Sequence, residues 1–389
     1  MAHTRRRFNL KIWGLALGYF CFYAPYSALV KVTTTGLLPG TGGPVTGFEL
    51  LPSTVIGTAV LMMACTSLFG WWKYAGRRQF FGVSVVCPSR LVFLSGLGTA
   101  VIIGTTTLAY TFNGVSIVLA LLLLRAGVLI VAPAIDFLFR RRVRWFSWCA
   151  LALSLAAVLV ALADVNNYRM TLVAGLNTLA YLSGYMLRLP CLNRLGKSED
   201  RNVALRYLVE EQTVAVVLLV AIPALFALIG RGVIMSELRH GFATFFAGGV
   251  AAPGLLIGAL YACLYFFGTL IYLDARENTF CIPLNRASSL LAGGVATYAL
   301  VDLFGQRPPS VAMLSSSGLM IAALLILSPL HHGHRVAARV RHALGVAYRA
   351  FVDDFAEQSP ARAPLAQAAS PEGVAVIDDR LTDGDNFTA

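Results

Sequence analysis

The chain has 389 residues, 57% of them hydrophobic and only 13% charged, against roughly 25% charged in soluble domains. With a mean hydropathy of +0.71, this excludes an ordinary soluble enzyme or binding module and points to a polytopic membrane protein. The formal net charge of +12 would suit a nucleic-acid binder, but its placement along the chain assigns it elsewhere.

The first apolar run follows "MAHTRRRFNLK". That start resembles a signal-peptide n-region, yet the run is long and lacks a small-residue cleavage site, so it is read as a retained helix. Apolar windows of about 20 residues, the length that crosses a bilayer, predict ten spans. They lie at 12–32, 53–72, 91–111, 114–138, 145–163, 170–189, 207–230, 248–272, 278–303 and 309–329. Basic residues crowd the connections on one side, among them Arg5–Arg7, Lys73, Arg77, Arg78, Arg140–Arg142, Arg194, Arg206 and Arg276. The other side has only Arg169, Arg231, Arg239 and Arg307, with Lys31 near a helix end. This is the positive-inside pattern. It places both termini in the cytoplasm and implies no nucleic-acid partner. The seven cysteines form no CxxC pair, so neither a disulfide framework nor a metal site or other cofactor is implied.

Beyond residue 330 the composition changes. Val336, Val340, Leu344, Ala347, Phe351 and Phe355 recur at helical spacing among arginines, which predicts an interfacial amphipathic helix over 331–357. Residues 358–389 are rich in Ala, Pro and Asp and are expected to be disordered.

Self-similarity runs through the apolar part. "LLRAGVL" (123–129) recurs as "LNRASSL" (284–290), with Arg125 and Arg286 161 positions apart. "LGYFCFY" (17–23) recurs as "LAYLSGY" (179–185), and "TLAY" (107–110) as "TLIY" (269–272), each 162 positions on. The offset carries spans 1, 3 and 4 onto 6, 8 and 9, so the unit has five spans, 12–163 and then 170–329. An odd number of spans inverts the second copy, a common transporter construction with its site near mid-membrane. The expected fold is therefore all-α, with ten transmembrane helices as two inverted five-helix repeats.

At this point the chain resembles the drug/metabolite transporter superfamily in its ten-helix, EamA-like form, which includes sugar-phosphate and nucleotide-sugar carriers. The stretch "NGVSIVLALLLLRAGVLIVAPAIDFLFRRRVRWFSWCALALSLAAVLVALAD" (113–164) is similar to the family's helix 4–helix 5 region, and "YFFGTLIYLDARENTFCIPLNRASSLLAGGV" (265–295) to its helix 8–9 region. Many members carry a Pro just after the polar position of helices 4 and 9, where this chain has Arg125-Ala126 and Arg286-Ala287. The resemblance implies a secondary transporter.

Candidate site residues follow from depth in the membrane. An intramembrane arginine faces a bundle interior or an aqueous cavity rather than lipid, and its planar fork matches carboxylate and phosphate. Arg125 and Arg286, with Asn285 beside the latter, are thus read as an anion clamp. The other reading is arginines paired with carboxylates such as Glu210 or Glu211, or with helix carbonyls. Tyr19, Tyr23, Ser27 and Lys31 recur every four residues on span 1. Asn177, Tyr181 and Tyr185, with Arg188 one step off, form the matching stripe on span 6. Both stripes are expected to line the same cavity, with Lys31 either joining it or snorkelling. Glu210 and Glu211 open span 7 as candidate proton-coupling groups.

The expectation is a carrier, not an enzyme, moving a small anionic metabolite across a bilayer, in a bacterial inner membrane; a homodimer is compatible with this. Two alternatives stand beside it. One is an exporter of amphiphilic or cationic compounds with structural arginines. The other is a membrane-embedded lipid-modifying enzyme, although no metal-ligand cluster or nucleophile–base pair stands out in the sequence.

Overall fold

The computed structural model describes residues 2–39, 43–80, 83–112, 116–138, 145–163, 172–196, 200–243, 251–274 and 278–327. The helix expected at 331–357 and the tail at 358–389 lie outside these described residues, which belong to the compact unit Met1–Pro329.

Eleven α-helices occur among the described residues: α1 (Ala2–Thr34), α2 (Gly47–Leu68), α3 (Arg90–Ala109), α4 (Ile117–Leu138), α5 (Trp145–Ala163), α6 (Leu172–Cys191), α7 (Arg201–Ile229), α8 (Gly232–Ala243), α9 (Ala251–Leu273), α10 (Asn278–Phe304) and α11 (Val311–Leu327). Each of the ten predicted spans falls on one long helix. Two helices start about six residues earlier than the apolar windows, because polar caps rather than hydrophobicity set their ends. Thr46 Oγ1 accepts from the Glu49 amide at the start of α2, and Asp200 Oδ1 from the Asn202 amide at the start of α7.

Two elements depart from the expected pattern. The short helix α8 carries Glu237, Arg239 and His240, and its mixed polarity hid it from an apolar-window reading. The loop expected at 73–90 holds a two-stranded antiparallel hairpin, β1 (Arg77–Phe80) and β2 (Val83–Val86), pairing Arg77 with Val86 and Phe80 with Val83.

Among the described residues, six helical segments are long and apolar enough to cross a membrane: Ile12–Thr34, Gly47–Leu68, Arg90–Ala109, Asn202–Ile229, Ala251–Leu273 and Leu284–Phe304. The chain is therefore an integral membrane protein by helix length and composition. Lipid removes the hydrophobic drive between helices, so close packing of small residues and interhelical hydrogen bonds hold the bundle. A methyl group at Gly98 on α3 would collide with the Gly184 carbonyl on α6, and one at Gly258 on α9 with the Thr54 carbonyl on α2. Thr58 Oγ1 adds a bond to the Gly258 carbonyl at 3.0 Å.

The two sequence halves interlock rather than stand apart. Helix α1 packs on α9 and α10, while α6 packs on α3 and α4; α2 packs on α9 and α7, α3 on α7, and α5 on α11. Helices α2 and α7 run antiparallel, as three contacts fix. Gln212, near the start of α7, donates to Thr66 near the end of α2. The Gly76 amide, beyond the end of α2, donates to Glu210 near the start of α7 at 2.9 Å. His240 on α8, just past the end of α7, meets Glu49 at the start of α2 at 2.9 Å.

Candidate functional site: two buried arginines among tyrosines

A spacing of four keeps Tyr19, Tyr23 and Ser27 on one face of α1, and all three are buried. Tyr181 and Tyr185 do the same on α6. Both tyrosine pairs close on the arginines of α4 and α10. Arg125 Nη1 donates to the Tyr181 hydroxyl at 2.7 Å, and its Nη2 to Tyr23 at 2.8 Å and Tyr19 at 3.5 Å. Arg286 Nη1 reaches the same Tyr181 oxygen at 3.4 Å. The two Nη1 atoms are thus no further apart than the sum of those two bonds. Aromatic faces complete the enclosure, with Arg125 Cζ 5.5 Å from the Tyr23 ring centre and Arg286 Cζ 4.6 Å from that of Tyr185. Side chains from α1, α4, α6 and α10 therefore meet at one point.

The arginines are 3% and 1% exposed, and among the described residues no carboxylate pairs with either. Described acids pair elsewhere, as in Arg188–Glu211, Arg206–Glu210 and His240–Glu49. Guanidinium keeps its charge under any ordinary condition. The site therefore carries two positive charges held among phenol groups and π faces, and the two charges repel each other by on the order of a few kcal/mol. Its donors are also incompletely used. Arg125 Nε, Arg286 Nε and Nη2, and Asn285 Nδ2 are buried with no hydrogen-bond partner, and each unpaired donor costs about 1–3 kcal/mol. Asn285 lies beside Arg286, its Oδ1 accepting from the Tyr272 hydroxyl at 2.7 Å. The whole cluster offers donors and positive charge.

Not every expected residue joins it. Asn177 Nδ2 bonds the Thr105 carbonyl at 3.0 Å, tying α6 to α3. Lys31 is half-buried near the end of α1, and no bond joins it to either arginine. The glutamates form separate structures and reach neither Arg125 nor Arg286. Glu210 Oε1 accepts from the Gly76 amide at 2.9 Å and from Arg206 Nε at 2.8 Å, pinning the hairpin segment to α7. Glu211 is a buried hub. Its Oε1 accepts from Ser95 (2.7 Å), Thr99 (2.9 Å), Tyr207 (3.1 Å) and Arg188 Nε (2.9 Å), and its Oε2 from Arg188 Nη2 (3.1 Å) and Tyr265 (3.1 Å). Arg188 Nη2 also reaches Thr269 at 3.0 Å. So many charge-assisted bonds stabilise the carboxylate form.

Sequence reasoning missed the partners behind these residues. Tyr110 meets the Tyr23 hydroxyl at 2.5 Å, Tyr26 meets Thr107 at 3.0 Å, and Tyr272 holds Asn285. Their signal lay in the repeated "TLAY" and "TLIY", whose Thr and Tyr are these residues. Tyr26–Thr107 and Arg188–Thr269 stand at the same offset of 162, so one half has a neutral contact where the other has a charged one. Among the described residues no three His, Cys, Asp or Glu side chains are grouped as metal ligands would be.

No family model matches the chain, and no curated protein matches it. A solved structure described only as the crystal structure of a protein aligns over 82% of this chain and 97% of its own, at 16% identity and a TM-score of 0.45.

Proposed function

We propose that the chain is a secondary transporter of small organic or inorganic anions, built as ten membrane spans in two inverted five-helix halves with both termini cytoplasmic. The observation that carries this reading is the pair of buried guanidiniums, paired with no acid among the described residues and bound to one phenol oxygen. A buried charge is costly without a partner; two of one sign at one point, with four donors unused, suit an anion that supplies both charge and acceptors. Placement on the paired helices α4 and α10, beside the paired tyrosines of α1 and α6, suits an anion held between the two proposed halves, as alternating access around a fixed site needs.

Packing supports the inverted arrangement. Exchange α1 with α6, α2 with α7, α3 with α9, α4 with α10 and α5 with α11, and the most extensive packing pairs between these helices exchange among themselves: α1–α9 becomes α6–α3, α1–α10 becomes α6–α4, and α2–α9 becomes α7–α3. The antiparallel course of α2 and α7 agrees. The drug/metabolite transporter superfamily and a bacterial inner membrane remain our assignments from the sequence pattern. A cationic cargo would need a free acid in the site, and the buried acids among the described residues, Glu210 and Glu211, are held by Arg206 and Arg188. We assign Glu211 the role of fixed counter-ion to Arg188 rather than of proton carrier.

The test is anion uptake into proteoliposomes by Arg125→Gln and Arg286→Gln. Both are expected to lose at least about 90% of uptake, since each removes a charge-assisted contact worth about 1.5–3 kcal/mol, while eluting as folded protein from a sizing column. Full uptake by the double substitution would remove the anion-carrier reading.

A further inference from the structure

Asn285 is the ambivalent member of the site. Its side chain carries one acceptor and one donor of nearly equal shape, so its orientation decides what the site offers. Around it the charged groups all donate. Arg125 and Arg286 have only N–H groups, and the hydroxyls of Tyr19, Tyr23 and Tyr181 already accept from Arg125, which turns their own protons elsewhere. The isolated preference of the amide here would be to point Oδ1 at a guanidinium. Arg286 Nε and Nη2 stand without acceptors one residue away in sequence, and an oxygen on either would satisfy a buried charged donor. The observed arrangement differs. Oδ1 is engaged by the Tyr272 hydroxyl on α9 at 2.7 Å, and Nδ2 is left unpartnered. The amide nitrogen lies beside Gly268 and the Tyr19 ring, where a methyl group on Gly268 would touch both, so it faces the tyrosine stripe of α1. The position equivalent to Asn285 in the first half is Leu124, so this feature belongs to one half only.

We propose that Tyr272 is a specificity-determining positioning residue. By holding the Asn285 oxygen, it turns the amide's donor toward the tyrosine stripe and selects anions that carry no ammonium group. This rests on the anion-carrier reading and adds to it a class of rejected ligand. A zwitterion brings three N–H donors to a site where the amide presents its own N–H and the phenol oxygens are shared with Arg125, beside two guanidiniums that repel its positive charge. Remove the Tyr272 hydroxyl, and the amide is free to turn Oδ1 toward the tyrosine stripe in place of Nδ2. A donor is then exchanged for an acceptor, so the pull on an anion weakens, while an ammonium gains an acceptor.

The experiment is a thermal-shift titration of the full-length protein in detergent with two matched pairs of probes, succinate with aspartate and glycerol phosphate with phosphoethanolamine. Each pair differs by an ammonium group, and the pairs separate carboxylate from phosphate recognition. The wild-type protein is expected to bind the ammonium-free member of at least one pair about tenfold or more tighter, the scale of a buried unpaired polar group. In Tyr272→Phe, affinity for that member should fall several-fold and the ratio within the pair should shrink to about twofold. Asn285→Leu, which restores the residue of the first half, should lower the same affinity without admitting the ammonium-bearing member. If the wild type binds no member of either pair, the anion-carrier reading falls and this inference with it. Selection by the wild type that persists unchanged in Tyr272→Phe, or undiminished affinity in Asn285→Leu, overturns the role of Tyr272 alone and leaves the carrier standing.

Discussion

Tyr181 accepts from two guanidiniums at once, and a phenol oxygen has two lone pairs. Both are spoken for, so its proton must point to a third group, and an anion between the arginines is the acceptor that the chemistry of the site lacks. Tyr181→Phe would strip both arginines of a shared partner. It is expected to lower thermal stability of the ligand-free protein by about 1–3 kcal/mol and anion affinity by roughly tenfold, both readable in one titration of melting temperature. At this scale the sequence was legible where a residue was out of place. Arg125 sits among "LLLL" and "AGVLIV", and such a cost in the bilayer marks a function. Tyr110 and Tyr272 escaped because a tyrosine at a helix end reads equally well as an interfacial anchor; only their buried hydroxyl contacts separate the two roles.

Helix α7 shows how an element differs from its sequence. Glu210 and Glu211 are adjacent, and nothing in their spacing tells one from the other. Helical rotation of about 100° per residue turns Glu211 into the bundle, where α3, α6 and α9 supply its donors, and leaves Glu210 to the hairpin segment. Arg188 reaches Glu211 across the π-helical turn Leu192–Gly196, where Gly196 lies against Leu273 and Tyr207, a course no periodicity reveals. The pair is buried on both sides, at 5% and 0% side-chain exposure. Breaking a buried pair from one side costs about 3–5 kcal/mol, whereas replacing both partners by apolar groups is often neutral. Arg188→Leu is therefore expected to unfold at a clearly lower temperature, and so is Glu211→Leu. The double Leu variant should recover most of the loss, and a non-additive cycle of melting temperatures measures it. Additive losses would mean that Ser95, Thr99 and Tyr207 satisfy Glu211 without Arg188.

For the molecule as a whole, periodicity and charge placed ten apolar segments on ten long helices. They missed α8 and the hairpin, whose short mixed sequences carry too little hydrophobic signal. How the halves meet was beyond the sequence, since interlocking depends on small residues such as Gly98 and Gly184 that look alike wherever they stand. Inversion makes a sharp demand on topology: the end of α1 and the end of the equivalent α6 must open on opposite faces of the membrane. Thr35 follows α1, and the exposed Arg194 follows α6. In a background with the seven cysteines replaced, Thr35→Cys is expected to react with an impermeant maleimide added outside intact cells, and Arg194→Cys only after the membrane is opened. The basic residues near Arg194 give the direction, because positive connections stay cytoplasmic. Labelling of both from one face would make the halves parallel copies. Arg125 and Arg286 would then lose the inverted two-fold relation proposed for them, although their shared contact with Tyr181 would still need another explanation.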